Sequence, residues 1–211
     1  MGSGRRSAAS SPVREDACLA FANTLSWRGS ETPAERLADL GGLLDWLGEA
    51  GGLPAEAVRR LAGGAGRRPP EAERLLAEAI GLREAIYRIF AAVARGDPVR
   101  EPDFAALSRA LAEAPTRRRL MRSHAGYAWQ IELAPMHRAG ASAAALLAPV
   151  LWSAADLLVK GGRQRIRQCA NARCRWLFLD ESKNGTRRWC NMASCGNRAK
   201  AHRHYLKMKQ G

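Results

Sequence analysis

Four cysteines near the end of this chain constrain its fold more than any other feature. They form two pairs, Cys169-x4-Cys174 and Cys190-x4-Cys195, in a chain of 211 residues whose only other cysteine is Cys18. Thiolates bind Zn²⁺ at about 2.3 Å, and a structural site closes with four ligands in a tetrahedron. Two close pairs separated by a hairpin-length insert therefore predict one structural zinc ion on Cys169, Cys174, Cys190 and Cys195.

The alternative for the same cysteines is two disulfides, which require an oxidising compartment. The N-terminus, MGSGRRSAAS, has no apolar stretch of signal-peptide length. Residues 1–13 are interpreted as disordered or as an expression scar. We therefore expect a cytoplasmic protein, where this pattern favours metal binding over disulfides.

Charge is unevenly distributed along the chain. The formal net charge is +14, and residues 163–211 contribute +11 of it, from 13 Lys and Arg against Asp180 and Glu181. The preceding 162 residues contribute only +3, from 21 Lys and Arg against 18 acids. This asymmetry favours a polyanionic partner, nucleic acid first and an acidic membrane surface second. A basic tail that serves solubility alone is the alternative.

Apolar residues at helical spacing predict a mostly helical region over residues 14–160. One helix start is indicated by Thr32 and Glu35, which have the spacing of a capping box, with Pro33 at the first helical position. The predicted helices cover Arg14–Leu25, Thr32 to about Leu47, Ala55–Leu61, Glu71–Arg95, Asp103–Ala114 and Ala141–Val159.

A β-hairpin interrupts this helical pattern. Residues alternate between apolar and polar in YAWQIELA, which predicts strands over Arg118–Ser123 and Tyr127–Ala134. The apolar segment Ala141–Val159 contains Pro149 and Asp156, so we predict a soluble helix there and no membrane span. The pair Gly161-Gly162 is the expected hinge before the cysteine-rich segment.

No catalytic constellation is visible in the helical region. It contains no GxGxxG, P-loop, GxSxG or HExxH motif. We expect His124 and His137 to be ordinary histidines and Cys18 to be a buried, inert thiol. Trp27, Trp46 and Trp129 are predicted in the core, with a small-molecule pocket as the alternative. A zinc site closed by four thiolates also leaves no open position for substrate, so we expect no enzymatic activity.

The insert between the cysteine pairs predicts a treble-clef-like module. Trp176–Leu179 and Thr186–Trp189 are predicted as the strands of a hairpin around Asn184-Gly185. Asn191 is placed to cap a C-terminal helix that starts near Met192 and carries Cys195 in its first turn. A module this small has little core, so metal binding would supply most of its folding free energy, on the order of 10 kcal/mol.

Basic side chains lie on the C-terminal helix of this zinc module and on the hairpin beside it. The C-terminal helix repeats basic residues at spacings of three and four, beside two arginines from the hairpin. Such a surface suits phosphate contacts, with Arg or Asn reaching base edges. His202 and His204 are interpreted as surface residues, since four thiolates already complete the zinc site. The predicted nucleic-acid contacts are Arg187, Arg188, Asn197, Arg198, Lys200 and Arg203.

The segment CANARCRWLFLDESKNGTRRWCNMASCGNRAKAHRHY closely resembles the CGNR zinc finger, named for Cys195-Gly196-Asn197-Arg198. The resemblance covers about Arg165–Tyr205. Upstream, CLAFANTLSWR and LADLGGLLDWLGEAGGL resemble the ABATE domain that usually precedes this finger. The resemblance implies a stress-induced bacterial transcription regulator, with zinc on the four cysteines and DNA bound by the finger.

The sequence thus predicts an α+β fold: an ABATE-like helical domain with a small β-hairpin at 14–160, then a CGNR-type zinc finger at 163–211. The predicted function is a transcription regulator that binds DNA through the finger. Its N-terminal domain would sense a small-molecule effector or form a homodimer. In a variant of this prediction, the finger binds RNA instead of DNA. A non-enzymatic protein-interaction module that docks an acidic partner is the alternative, and an enzyme would require an open zinc position.

Overall fold

The computed structural model of the chain describes residues 15–50, 52–53, 58–59, 69–117, 119–123, 126–129, 142–160 and 165–210. At 121, 123, 126, 128, 202–204, 206, 207 and 210 it describes the backbone alone. Helices dominate the first part of this structure, short antiparallel strand pairs lie between them, and the four cysteines cluster near the end. The predicted α+β class is confirmed.

Helix α1 (Ala17–Ala22) is short and almost entirely buried. Its first turn is fixed by Ser153, whose hydroxyl accepts from the Cys18 N–H at 3.1 Å and donates to the Glu15 carbonyl at 2.8 Å. Phe21 packs on Trp46 with 5.2 Å between ring centroids. As predicted, Cys18 is buried and free, and burial raises the pKa of its thiol to about 12.

The segment after α1 is extended, and the helix predicted from Thr32 is wrong. Strand β1 (Leu25–Ser26) pairs antiparallel with β2 (Ala34–Glu35). The Glu35 carboxylate accepts from the Leu37 N–H at 2.9 Å and from a buried arginine, so it caps no helix.

Helix α2 (Leu40–Glu49) begins seven residues later than predicted. Its N-cap is Asp39, whose Oδ1 accepts from the Gly42 N–H at 2.8 Å. Its leucines, Leu40, Leu43, Leu44 and Leu47, face the core, and Trp46 is buried with them, as predicted.

Helix α3 (Pro69–Arg95) is the central element of the helical region and confirms the predicted helix at Glu71–Arg95. Two prolines occupy its first turn, where an N–H has no intrahelical partner to lose. Gly96 follows its last residue with φ of +75°, a conformation that favours glycine. The buried face of α3 includes Leu75, Ala79, Arg83, Ile86, Ile89 and Phe90.

Helix α4 (Glu101–Glu113) packs against α3, which confirms the helix predicted at Asp103–Ala114. A two-pronged contact ties the two helices together, because the Arg88 guanidinium donates to Asp103 Oδ1 at 2.6 and 2.9 Å. This contact holds the pKa of the Asp103 carboxyl below its usual range.

The predicted β-hairpin is present within the described residues. Strand β3 (Leu120–Ser123) pairs with β4 (Gly126–Trp129) in register Leu120↔Trp129 and Ser123↔Gly126. Trp129 is half-buried against the main core, in agreement with its predicted place.

The apolar segment near residue 150 forms two consecutive helices, α5 (Ala143–Leu146) and α6 (Ala148–Val159). Pro149 lies in the first turn of α6 and explains the break. The chain between Ala148 and Ala154 is buried all round, as in a central core helix. Among the described residues, no helix is both long and apolar enough to cross a membrane.

The C-terminal strands pair differently from the prediction. Strand β5 (Ile166–Gln168) pairs antiparallel with β6 (Leu177–Leu179), and Thr186–Trp189 forms no strand. The predicted turn at Asn184-Gly185 is present, with Gly185 at φ of +61° and its N–H bonded to the Ser182 carbonyl at 3.2 Å. It connects β6 to the segment that leads to Cys190.

The last helical segment has two parts. A π-helical turn covers Met192–Gly196 and leads directly into helix α7 (Asn197–Gln210). Asn191 caps the turn as predicted, since its Oδ1 accepts from the Ala193 and Ser194 N–H groups at 2.8 and 3.2 Å.

One core runs through the helical region and into β5 and β6. Ile166, Leu177 and Leu179 belong to the same buried cluster as the leucines of α2, α3 and α6. Several predictions fall outside the described residues, namely His124, His137, the Gly161-Gly162 hinge and most of the helix at Ala55–Leu61.

Candidate metal centre

The four predicted zinc ligands meet in one cluster. Their sulfur atoms all lie within 4.8 Å of one another. Two edges of the cluster measure 3.7 Å, from Cys174 Sγ to Cys190 Sγ, and 3.8 Å, from Cys190 Sγ to Cys195 Sγ. Four sulfurs bound tetrahedrally at about 2.3 Å from Zn²⁺ lie about 3.8 Å apart, so the cluster has the size of a zinc tetrathiolate.

The first pair of cysteines lies on a knuckle at the tip of the β5–β6 hairpin. The Cys169 N–H donates to the Trp176 carbonyl at 2.8 Å, which closes the knuckle. Inside it, the Asn171 carbonyl accepts from the N–H groups of Cys174 and Arg175 at 2.9 and 3.1 Å. Arg175 has φ of +54°, a left-handed conformation that returns the chain to β6.

The second pair lies on either side of the Asn191 cap. Cys190 precedes the cap and Cys195 lies in the π-helical turn, so the capped turn sets the spacing between their two sulfurs. The Asn171 side chain connects the two halves of the site, because its amide donates to Cys195 Sγ at 3.7 Å. Hydrogen bonds to sulfur stabilise the thiolate form that a metal requires.

Four thiols this close together cannot readily all ionise without a cation. Hydrogen bonds from Cys174 and Cys190 lower the pKa of the Cys169 thiol. In turn, the neighbouring Cys169 raises the pKa of Cys174. One thiolate therefore opposes the ionisation of the next, and a divalent ion is the group that allows all four to ionise together.

The turn after β6 is organised by a buried carboxylate. Asp180 accepts from the N–H and hydroxyl of Ser182 and from the Arg187 N–H, and these bonds hold its pKa below the usual range. The Arg187 guanidinium stacks over Phe178 at 4.6 Å and donates to the carbonyls of Trp189 and Cys190. Arg187 thus positions the backbone of the second cysteine pair.

The finger is clamped to the helical region by Asn23, a buried residue at the end of α1. Its amide nitrogen donates to the Leu177 carbonyl at 2.8 Å, and its amide oxygen accepts from the Leu177 N–H at 3.0 Å. The side chain thereby satisfies both backbone groups of one β6 residue. Sequence reasoning missed this residue, because a lone asparagine 154 positions away from its partner gives no local signal.

A charged network lies beside this clamp. Arg83, only 2% exposed, donates to Glu35 at 2.6 Å and to Glu84 at 2.9 Å. Arg28 forms a bidentate pair with Glu84, at 2.7 and 3.0 Å, and stacks over the Tyr87 ring at 3.8 Å. Burial raises the pKa values of both glutamates, but the hydrogen bonds from Arg83 and Arg28 outweigh burial and hold them below the usual range.

Tyr87 extends the network into the finger. Its hydroxyl donates to the Arg175 carbonyl at 3.1 Å and accepts from the Gln168 amide at 2.9 Å. Both partners flank the metal knuckle, so the hydroxyl of a helix α3 residue fixes the orientation of the knuckle. These contacts were also missed, since they join residues 81 and 88 positions apart.

The loop after β1 contacts the knuckle through backbone alone. The Gly29 N–H donates to the Arg173 carbonyl at 3.1 Å. A Cβ on Gly29 would lie 1.9 Å from the Ala172 carbonyl oxygen, so only glycine permits this approach. Trp27, in the same loop, is half-buried against the cysteine cluster rather than in the main core.

The predicted nucleic-acid residues have different surroundings. Arg188 and Lys200 are exposed, and the Arg188 guanidinium lies 5.5 Å from the Trp189 ring centroid. The Arg198 guanidinium stacks over the Trp27 ring at 4.6 Å, and the Asn197 amide donates to the Ala193 carbonyl at 3.2 Å. Arg187 is engaged within the finger as described above. For Arg203, His202 and His204 the structure describes the backbone alone.

Two family models match the chain. The one described as "ABATE: Putative stress-induced transcription regulator" matches residues 15–161. The one described as "CGNR zinc finger" matches residues 165–207. No curated protein matches the chain. The predicted resemblance is confirmed, and the four clustered cysteines form the site of one structural zinc ion.

Proposed function

This chain belongs to the ABATE family, and on that premise we propose that it is a transcription regulator whose C-terminal zinc finger binds double-stranded DNA. The observation that carries the proposal is the exposed basic surface built around the cysteine cluster.

The finger carries more positive charge than is needed to balance its zinc tetrathiolate. Residues 163–211 have a formal net charge of +11. A zinc tetrathiolate carries two negative charges, so roughly nine positive charges remain once the metal site is complete. A surface of this sign and density attracts the phosphate backbone of DNA independently of sequence.

The basic surface includes a helix that is joined directly to the zinc site. Helix α7 continues directly from the π-helical turn that contains Cys195, so the zinc ligand and the helix share one backbone. The described side chains of α7 are mostly exposed, including Lys200, Tyr205 and Lys209. A helix fixed at its N-terminal end and free along its length suits insertion into, or passage along, a DNA groove.

The contacts of the finger favour some of the six predicted residues over others. Arg188 and Lys200 are exposed and form no described hydrogen bond or ion pair, so they are our primary candidates for phosphate contact, with Arg203 further along the same helix. Arg187 and Asn197 donate to backbone carbonyls of the finger, which suits a positioning role. Arg198 stacks on Trp27 and would need to leave that ring to reach DNA.

The helical region would act as the sensing or dimerisation unit. It supplies most of the folded core and clamps the finger through Asn23 and Tyr87. A change in this region therefore has a structural route to the DNA-binding surface. We propose no enzymatic step, because a zinc ion bound by four thiolates has no position left for a substrate.

Docking of an acidic protein is the second candidate function. Large apolar side chains are exposed beside the basic ones: Met192 is 51% exposed and Met208 is 72% exposed. Methionines on a surface adapt to varied partners, as in other protein-binding faces. Binding to such a partner, without affinity for duplex DNA, would select this candidate.

The test is DNA binding by the zinc-loaded protein across a salt series, measured by fluorescence anisotropy with random duplex. Affinity should fall with salt at a slope of about −0.9 per phosphate contact. The double variant R188A/K200A should reduce the magnitude of that slope by roughly 2.

The matched control is R109A/R122A, which removes two exposed arginines from α4 and β3 and should leave the slope unchanged. Duplex binding should also be lost when a chelator removes the zinc. If the zinc-loaded protein has no affinity for duplex at low salt, the DNA proposal is wrong and an acidic protein partner becomes the hypothesis to test.

A further inference from the structure

A cleft of about 840 Å³ opens between the helical region and the finger, directly beside the metal centre. One wall comes from the loop after β1, the other from the knuckle and the start of α7. Its volume lies within the range of small-molecule sites in proteins, roughly 300–1,000 Å³. The residues that line it are Trp27, Ser30, Thr32, Asn171, Arg173 and Trp189, with Ala172, Cys195, Arg198 and Ala199.

Two half-buried indole rings, those of Trp27 and Trp189, give the cleft aromatic surface. Both also pack on the cysteine cluster, so the metal centre holds them in place. Trp27 has φ of +56°, which is rare for a bulky residue. The turn that holds it there is closed by the N–H and hydroxyl of Ser30, each donating to the Trp27 carbonyl at 2.8 Å. A strained aromatic residue at a cleft is a frequent feature of binding sites.

Two arginines, Arg173 and Arg198, line the cleft, and none of its lining residues is a carboxylate. Cys195 also lines it, as one of the four ligands of the zinc site. Within the described part of the chain, the Arg173 guanidinium forms no hydrogen bond or ion pair, and Arg198 makes only its contact over Trp27. Guanidinium groups recognise carboxylate and phosphate in a planar, two-pronged geometry.

We propose that this cleft binds a small planar anion, an aromatic body with a carboxylate or phosphate group. The rings of Trp27 and Trp189 would contact the aromatic body, and Arg173 and Arg198 would bind the anionic group. The inference deepens the sensing part of the proposed function and rests on it for its biological meaning. Because Arg198 also lies in the first turn of α7, an occupied cleft would hold that guanidinium away from DNA.

The experiment uses zinc-loaded protein without DNA, so that its failure is separate from failure of DNA binding. Two pairs of probes are titrated calorimetrically: 2-naphthoate against the neutral 2-naphthamide, and adenosine monophosphate against adenosine. We expect at least one anion to bind at least tenfold more tightly than its neutral partner. A preference for 2-naphthoate over 2-naphthamide would indicate a carboxylate ligand, and a preference for adenosine monophosphate over adenosine would indicate a phosphate ligand.

Variants locate the site. R173Q should weaken binding of that anion roughly tenfold or more, since it removes one charge-assisted contact. T32W should block the cleft. K183Q, with the same loss of charge in an exposed turn outside the cleft, should bind like the parent. In NMR spectra, the indole N–H signals of Trp27 and Trp189 should shift, whereas that of the buried Trp46 should not.

Three outcomes would overturn the proposal. The first is that neither anion binds up to millimolar concentration. The second is that the anions bind no more tightly than their neutral partners. The third is that binding is unchanged in both R173Q and T32W. A protein that binds duplex DNA but gives any of these results keeps its DNA-binding function and loses the proposed ligand site.

Discussion

Around Cys18 and Phe90, the helical region buries dozens of apolar side chains in one continuous cluster. Around the four ligand cysteines, the finger buries a single aromatic ring, Phe178, with Trp27 and Trp189 half-buried beside it. The helical region is therefore stabilised by removal of apolar surface from water, and the finger by its metal. Between them lie a few buried polar contacts, which need both regions in place.

This difference between apolar burial and metal binding predicts how each region responds to substitutions. A loss in the apolar core is shared among many neighbours. The finger, apart from the β5 and β6 residues that belong to that core, depends on four sulfur atoms and a small number of long-range hydrogen bonds. We therefore expect successively smaller effects from substitutions at the metal, the charged network, the asparagine clamp and the glycine contact.

The largest effect is expected from loss of the zinc. C174A removes one of four thiolates, and the metal contributes on the order of 10 kcal/mol to folding of such a site. Zinc content should fall well below one ion per chain, and backbone amides over residues 169–200 should lose protection in hydrogen exchange. Amides in the middle of α3 should stay protected.

The matched control for this prediction is C18A. It removes a buried thiol from the apolar core and should leave the zinc content unchanged. If C174A bound zinc as tightly as the parent, the assignment of the ligands would be wrong.

The second effect is expected at Arg83. R83M leaves the Glu35 carboxylate without its buried arginine, whereas Glu84 keeps its pair with Arg28. Breaking a buried pair destabilises by about 3–5 kcal/mol. Both carboxylates remain 28–35% exposed, so water compensates in part and we expect about 3 kcal/mol. Chemical denaturation measures the change.

R36M is the control for R83M. The Arg36–Glu49 pair is exposed on both sides, at 57% and 65%, so its loss should change stability by less than about 1 kcal/mol. Equal effects of R83M and R36M would show that the network contributes nothing beyond a surface pair.

The third effect tests the clamp. N23A leaves the N–H and carbonyl of Leu177 buried without partners and should cost about 2 kcal/mol. Hydrogen exchange should increase first in β6, where these bonds end. N197A removes an exposed asparagine with a single hydrogen bond and should change stability by only a few tenths of a kcal/mol. A loss that left β6 as protected as before would argue against a clamp.

The smallest effect compares two glycines. G29A forces the loop after β1 away from the Ala172 carbonyl and breaks the bond to the Arg173 carbonyl, which we expect to cost about 1–2 kcal/mol. Gly81 lies in the middle of α3 on its exposed face, where a Cβ meets nothing within 4 Å. G81A should therefore stabilise the protein by about 1 kcal/mol. Thermal unfolding should move the two midpoints in opposite directions.

The sequence predicted the parts of this structure that depend on neighbouring residues. The zinc ligands, the long helix α3, the turn at Asn184-Gly185 and the cap at Asn191 all follow from spacing over a few positions. Local spacing can also mislead, as it did for the helix start predicted at Thr32. Asp39 caps α2 instead, and the Glu35 carboxylate binds Arg83.

What the sequence could not provide was the partner of each strand and of each polar side chain. The strand predicted at Thr186–Trp189 failed because β6 pairs upstream with β5, a choice that local turn chemistry does not decide. The contacts of Asn23 and Tyr87 with the finger likewise link distant positions, and one sequence alone contains no sign of such pairs.

Leu177 and Leu179 lie two residues apart on β6, and both complete the core of the helical region. Cutting the chain between α6 and β5 would therefore leave each fragment incomplete. The helical fragment would expose an apolar surface suited to self-association, and the finger alone would carry two uncovered leucines. A finger transplanted from another member of the family would be accepted only if it brought a strand that fits this surface and a backbone that Asn23 can hold.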